Sequence, residues 1–172
     1  MATAPINKPN PIQFPKGTPV GLPQINAASA TAFKSQQFLT LTSGTYTKTA
    51  AAAGTSAALS QEDSASTSAN PPDTLYGNRT SALSIDDVVF LVNITDASGT
   101  IGSGSTRQQD ITVGNSYAMV SSTGAYADIQ MLNAATSSPA FFKVQALYPL
   151  DATSTFNGRV LCTFVGTNQQ PV

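Results

Sequence analysis

The sequence predicts an all-β protein: an antiparallel β-sandwich or small barrel body behind an extended, proline-rich N-terminal arm. Three observations carry this. Two β-like runs, Phe141–Tyr148 and Arg159–Val165, flank a polar connection marked by Pro149, Asp151, Asn157 and Gly158. Upstream, short apolar or alternating runs recur at roughly ten-residue spacing, separated by Gly, Pro and Ser turns, the pattern of a sandwich or barrel. And the first 25 residues hold Pro5, Pro9, Pro11, Pro15, Pro19 and Pro23.

The arm comes first in the chain, over residues 1–30, with the β body expected over 31–172. Each proline fixes φ, removes an N–H donor and pushes its predecessor toward extended geometry. Helix and central strand are therefore excluded, and polyproline-II or irregular extended chain is expected. At about 3.1 Å per residue its first 25 residues reach on the order of 75 Å. Ile6, Ile12, Phe14, Val20, Leu22 and Ile25 punctuate it. A pure spacer has little use for apolar side chains, so these six are the candidate anchors for pockets on a partner.

Phe38–Thr42 reads as a strand, Ser43-Gly44 as a turn and Thr45–Thr49 as a returning strand. Gly54 and the surrounding Ser and Thr argue for irregular chain or strand, and Glu62–Asp73 for a loop. Val88–Thr95 is the most apolar stretch and is expected to be an interior strand. Asp96–Gly104 reads as a turn, Ile111–Val113 as a short strand, and Tyr117–Ser121 with Ala127–Leu132 as a hairpin.

In the last pair, alternation places Phe142, Val144, Ala146 and Tyr148 on one face and Phe141, Lys143 and Gln145 on the other. The second run is apolar on both faces, Val160, Cys162 and Phe164 against Leu161 and Val165. That pattern suits a central strand covered from both sides.

Composition narrows the function classes. Charged residues make up only 10% of the chain, against a usual quarter, so the surface is poorly protected against association. The first 61 residues hold four lysines and no acid, the remainder four cations and nine acids. Such dilute charge does not make a nucleic-acid footprint. No apolar run is long enough to span a membrane, and the N-terminal residues lack the apolar segment of a secretion signal. The expected setting is a cytoplasm.

Candidate chemistry is sparse. The chain has no histidine, the commonest general base, proton shuttle and metal ligand. One cysteine, Cys162, excludes an intrachain disulfide and Cys-rich zinc sites. Gly99–Ser105 has the glycines of a phosphate loop but not its Gly-Lys-Ser/Thr ending. Asp86-Asp87 lacks the neighbouring oxygens that calcium requires, and reads as a solvated strand entrance. Asn78-Arg79-Thr80 and Asn93-Ile94-Thr95 match the glycosylation pattern, the second inside an expected buried strand. No catalytic, cofactor-binding or metal-binding residue is assigned; the reading is of a non-enzyme.

The block Phe142-Lys143-Val144-Gln145-Ala146-Leu147-Tyr148-Pro149, Asp151 and Asn157-Gly158-Arg159-Val160-Leu161-Cys162-Thr163-Phe164 resembles the C-terminal strand pair of small head proteins of tailed bacteriophages. With its arm and uncharged surface, the whole chain looks like a capsid decoration, or cement, protein. The resemblance implies a structural virion protein on the capsid surface, assembled in the host bacterial cytoplasm. Its partners would be the major capsid protein and itself, as a homotrimer or homodimer, with no nucleic acid, membrane or cofactor. The alternative is a head fibre, tail or receptor-binding module attached to the virion through its arm.

Overall fold

The computed structural model describes residues 13–16, 21–22, 25–26, 33, 36–43, 45–50, 54–61, 79–80, 82–100, 106–123 and 129–168. For 13–16, 25–26 and 79–80 the description is of the backbone. Fourteen strands and one 3-10 turn make up the regular structure of the described residues, and no α-helix occurs among them. Contacts divide the chain into two compact units. One comprises Met1–Gly17, Ala50–Gly54 and Asp87–Gly166; the other comprises Thr18–Thr49, Thr55–Asp86 and Thr167–Val172. The first boundary between them falls after Gly17, so the N-terminal segment contributes to both units.

The first unit is built on β1 (Gln13–Lys16), β9 (Val89–Thr95), β10 (Ser116–Ser121), β11 (Gln130–Asn133), β12 (Phe142–Leu147) and β13 (Arg159–Phe164). Five of these close a barrel. β9 pairs with β13, β13 with β12, β12 with β10 and β10 with β11, all antiparallel; β11 then returns to β9 in parallel. Closure leaves the five strands few free edges.

Register shows how the sequence fills this barrel. Residues opposite one another share a face. Phe90 faces Cys162 and Val92 faces Val160; Cys162 faces Val144, and Phe142 faces Tyr117. Across the remaining seams Met119 faces Leu132 and Leu132 faces Ile94, one alternation along β9 from Val92. The circuit closes without a slip of face, and every one of these ten side chains is at most 9% exposed. This is the first unit's core.

The expected hairpin over β10 and β11 forms, with Ser121 opposite Gln130. Val89–Thr95 is interior as expected. The strand expected over Ile111–Val113 is absent. A 3-10 turn, Gln108–Asp110, comes first, and the Thr112 N–H then donates to the Tyr117 hydroxyl at 3.0 Å instead of joining a ladder.

The β12–β13 pair also departs from the expected pattern. Phe142 and Val144 are buried and Lys143 and Gln145 exposed, as the alternation requires. A bulge then intervenes between Val144 and Ala146. It places Ala146 opposite Leu161 and gives Leu147 the position opposite Val160, so Ala146 changes face and is only half-buried. One extra residue reverses a period of two. Phe141, assigned to the outer face, is fully buried, edge-on to Phe142 and Phe164 with ring centroids 4.9 and 5.0 Å away. β13 is central in pairing but not covered on both sides: Val160 and Cys162 are buried, Leu161 and Phe164 half-buried, and Val165 is 40% exposed.

The second unit holds a four-stranded antiparallel sheet in the order β4 (Thr45–Lys48), β3 (Phe38–Thr42), β6 (Ala58–Ser60), β8 (Ala82–Leu83). Two short pairs accompany it: β2 (Ile25–Asn26) with β7 (Arg79–Thr80), and β5 (Thr55–Ser56) with β14 (Thr167–Asn168). β3 and β4 form where the sequence places them. β5, β6 and β8 are too short to give a period. The unit's apolar cluster is small: Phe33, Leu39, Tyr46, Ala57, Ala58 and Ala82, with Leu22 and Leu41 packed against it.

Candidate partner-binding surface

The six expected anchors fall into three groups. Ile6, Ile12 and Val20 lie outside the described residues. Phe14 and Ile25 belong to strands β1 and β2, where the backbone pairing alone is described. Leu22 is described in full. It is half-buried against the second unit's own cluster, and its N–H donates to the Ala82 carbonyl at 2.9 Å. Gly21 bridges to Leu83 beside it. Leu22 is therefore engaged within the chain, where the sequence suggested a contact to a partner.

Around Pro15 the expectation of polyproline-II or irregular chain does not hold. Gln13 pairs with Leu91 and Lys16 with Val89, so three steps along β1 match two along β9. Phe14 and Pro15 together oppose Phe90, which is the geometry of a bulge. A bulge on an edge strand is where a residue without an N–H can be accommodated. Proline still keeps the segment out of the sheet's centre: β1 sits at the end of the strand order, with β9 as its neighbour.

The conspicuous polar construction of the first unit lies around the connection from β12 to β13. The Asp151 carboxylate, 4% exposed, receives the Arg159 backbone N–H at 2.8 Å, Nε at 3.0 Å and a terminal guanidinium nitrogen at 2.6 Å. The same guanidinium lies 4.4 Å from the centre of the Tyr148 ring. The side-chain hydrogen bond to Asp151 raises the Arg159 pKa further above its ordinary value, against a smaller opposing effect of burial. Gln108, 1% exposed, donates from Nε2 to the carbonyls of Tyr148 and Arg159 at 2.9 and 2.7 Å, closing the mouth of the hairpin.

Asn157 takes φ +52°, a conformation asparagine tolerates better than most residues. Its carbonyl accepts from Asn93 Nδ2 at 2.7 Å, and its own Nδ2 donates to the Ile94 carbonyl at 3.0 Å. Asn93 is thus a buried structural amide, 2% exposed, and its glycosylation triplet lies within β9. The sequence pointed to Asp151 and Asn157 as residues of the connection and to Arg159 as the start of the last strand. It held no sign of Gln108 or Asn93, whose partners lie 40 or more positions away.

This braced connection displays apolar surface. Leu150, at its tip, is 78% exposed, the highest value among the large hydrophobic residues described; Val113 follows at 49%. Arg107, before the 3-10 turn, lays its guanidinium 4.7 Å from the centre of the Phe156 ring.

The remaining candidates resolve into turns and core. Asp96 accepts the Ser98 N–H at 2.9 Å in an ordinary side-chain turn, and residues 101–105 lie outside the described set. Asp86, exposed, accepts from Asn168 Nδ2 at 2.7 Å. Among the described residues no group of three His, Cys, Asp or Glu comes together as a metal site. Cys162 is fully buried, and burial pushes its thiol far above its ordinary pKa. It is a core side chain without a thiolate to offer.

Comparison with known proteins finds no family model, curated protein or solved structure that matches the chain.

Proposed function

We propose that this is a structural virion protein of the decoration class, which binds the outside of a tailed-phage capsid and reinforces it. Its N-terminal segment lies across major capsid subunits, and its barrel unit sits on the shell or joins copies of itself. One observation carries the reading. The block that resembles phage head proteins folds as a continuous piece, β12, its braced connection and β13, and the residues of that pattern have definite structural roles. Asp151 holds Arg159, Asn157 turns the chain and locks to β9, and Phe142, Val144, Val160 and Cys162 fill the barrel.

The mechanism is adhesive. Ile6, Ile12, Phe14, Val20 and Ile25 supply the arm's apolar contacts, and extended backbone adds to strands of the shell. Leu22 packs within the second unit instead. Many weak contacts repeated by symmetry then give avidity.

The test uses shells assembled without this protein. Full-length chain, and chain lacking residues 1–12, are co-sedimented with them, and each free protein is melted separately. The deletion spares β1, β2 and Leu22, so both proteins should melt alike, while the shortened one loses at least tenfold in occupancy. Equal occupancy would take Ile6 and Ile12 out of the attachment. Failure of full-length chain to bind shells, with binding to host cells instead, would support the receptor-binding alternative.

A further inference from the structure

β1 joins the barrel through a short, interrupted backbone ladder on a single neighbour. β9 uses one edge for β13, over residues 90–93. On its other edge β11 reaches only Ile94 and Thr95. The backbone at residues 89–91 is left for β1, which supplies four residues in two register pairs with an irregularity between them. Pro15 removes one N–H from even this short ladder. So β9 has an open edge of fixed length, and the N-terminal segment fills it.

The route of the chain matters equally. After Gly17 it leaves the first unit and enters the second at Thr18, returning for Ala50–Gly54 and then from Asp87 onward. β1 is therefore joined to β9 by no hairpin that would enforce pairing within one chain. A strand delivered from another copy would make the same backbone bonds in the same register. Identical contacts in either arrangement are the condition for strand exchange. The balance then follows concentration, and a chain with so few surface charges offers little repulsion to a neighbour.

We infer that the edge of β9 at Val89–Leu91 is a docking site for β1 of a second copy of this chain, so that neighbouring copies are linked by reciprocal or head-to-tail exchange of residues 13–16. This exchange does not depend on the capsid reading and is tested on the isolated protein.

The experiment mixes two chains that each carry one added cysteine, Lys16→Cys in one and Val89→Cys in the other, distinguishable by mass. Lys16 and Val89 are register partners, and facing residues of an antiparallel pair lie within disulfide reach. The native Cys162 is fully buried and remains protected while the barrel is folded. The mixture is incubated at high concentration, oxidised, quenched with alkylating agent and analysed by peptide mass spectrometry. Exchange predicts disulfides that join position 16 of one chain to position 89 of the other. These should exceed links between like chains at least tenfold and rise with concentration. The Lys16→Cys, Val89→Cys double variant, oxidised when dilute, should close within one chain.

Internal closure of the double variant without unlike-chain links in the mixture would overturn the inference. So would a double variant that forms neither link, since β1 would then not occupy β9 at all. If Val89→Cys fails to fold, Gln13→Cys with Leu91→Cys reads the other register pair in the same way.

Discussion

The barrel and the second unit are made from the same Ser-, Thr- and Ala-rich chain, yet they hold their strands by different means. Barrel strands run to four to seven residues and bring Phe90, Phe142, Met119 and Leu132 into one closed core. Strands of the second unit run to two to five residues, and three of the six buried members of its cluster are alanines. Polar side chains do there what long ladders do in the barrel. Ser60 Oγ receives the Gln37 N–H at 2.9 Å and donates to the Gln37 carbonyl at 3.2 Å, while Ser56 Oγ donates to the Leu39 carbonyl at 2.9 Å. Thr40 and Thr49 share a hydroxyl hydrogen bond of 2.9 Å. The lesson is that a Ser/Thr-rich sequence can close short, interrupted strands by giving backbone groups side-chain partners, at about 1 kcal/mol per bond. Apolar burial yields more wherever strands are long enough to present it.

The sharpest way to break this contrast is to cut into the barrel. Phe142→Ala removes a fully buried ring in edge contact with Phe141, and should cost about 3–5 kcal/mol. Amide hydrogen exchange reads the loss locally: the β12 and β13 amides should exchange far faster. A loss below about 1 kcal/mol, well under that cavity cost, would mean that the barrel does not depend on its closed core, and the contrast would fail.

The next effect is smaller and polar. Asp151→Ala leaves the Arg159 guanidinium and backbone N–H without their acceptor. Hydrogen bonds to charged groups contribute about 1.5–3 kcal/mol, and solvent around the partly exposed Arg159 recovers some of this. A net loss of about 2 kcal/mol is expected in urea unfolding. An unchanged midpoint would show that the brace at the connection is not what holds β12 to β13.

How much of this was legible beforehand divides along the same line. Long alternating or apolar runs marked β9, β10, β12 and β13, because period and length are properties of one segment. The paired strands β3 and β4 were legible for the same reason, with Ser43-Gly44 as the turn between them. The bulge after Val144 was hidden, since one extra residue leaves composition and flanking pattern unchanged while reversing every later side chain. Strands β5, β6 and β8 were hidden because two or three residues carry no period. The brace was half visible: Asp151 and Asn157 stood out as a turn and Arg159 as the start of a strand, but Gln108 and Asn93 acquire meaning only from distant carbonyls. Of the candidate anchors, Leu22 was recognisable as an apolar contact, but the surface it meets inside the chain was not.

A third prediction concerns pH. Burial raises the Cys162 thiol well above its ordinary value of 9.0, so it stays protonated in the fold while the unfolded chain ionises near that value. An acid whose folded pKa is raised stabilises fully below its unfolded pKa, and that stability is lost as pH climbs above it. Stability should therefore be level between about pH 6 and 8. Above about pH 9 it should fall by at most about 1.4 kcal/mol per pH unit from this group. Tyr46, also raised by burial from 10.0, adds its own decline at higher pH. Arg159, raised further by its hydrogen bond to Asp151, stays protonated throughout this range and adds no slope. Urea midpoints of wild type and Cys162→Ala should run parallel below about pH 8, with the variant's curve shallower above about pH 9. Equal slopes would assign the alkaline loss elsewhere.

The smallest effect separates the two units most finely, and its sign is opposite. Tyr46 is fully buried on β4, opposite Leu41, among Phe33, Leu39, Ala57 and Ala58. Its hydroxyl is buried and has no hydrogen-bond partner among the described residues. In a unit that satisfies buried backbone groups with Ser and Thr, this oxygen is an exception. A buried hydroxyl without a partner gives up its hydrogen bonds to water on folding, at about 1–3 kcal/mol. Tyr46→Phe removes that oxygen and keeps the ring, leaving a void of one atom whose lost contacts are individually small. The substitution should therefore stabilise the second unit by about 0.5–1.5 kcal/mol, read as slower exchange of the β3 and β4 amides. It should also remove the steeper loss of stability that Tyr46 imposes above its ordinary pKa of 10.0. A destabilisation of similar size would show that the hydroxyl is satisfied after all, and that the second unit relies on polar bonds more completely than the contrast with the barrel supposes.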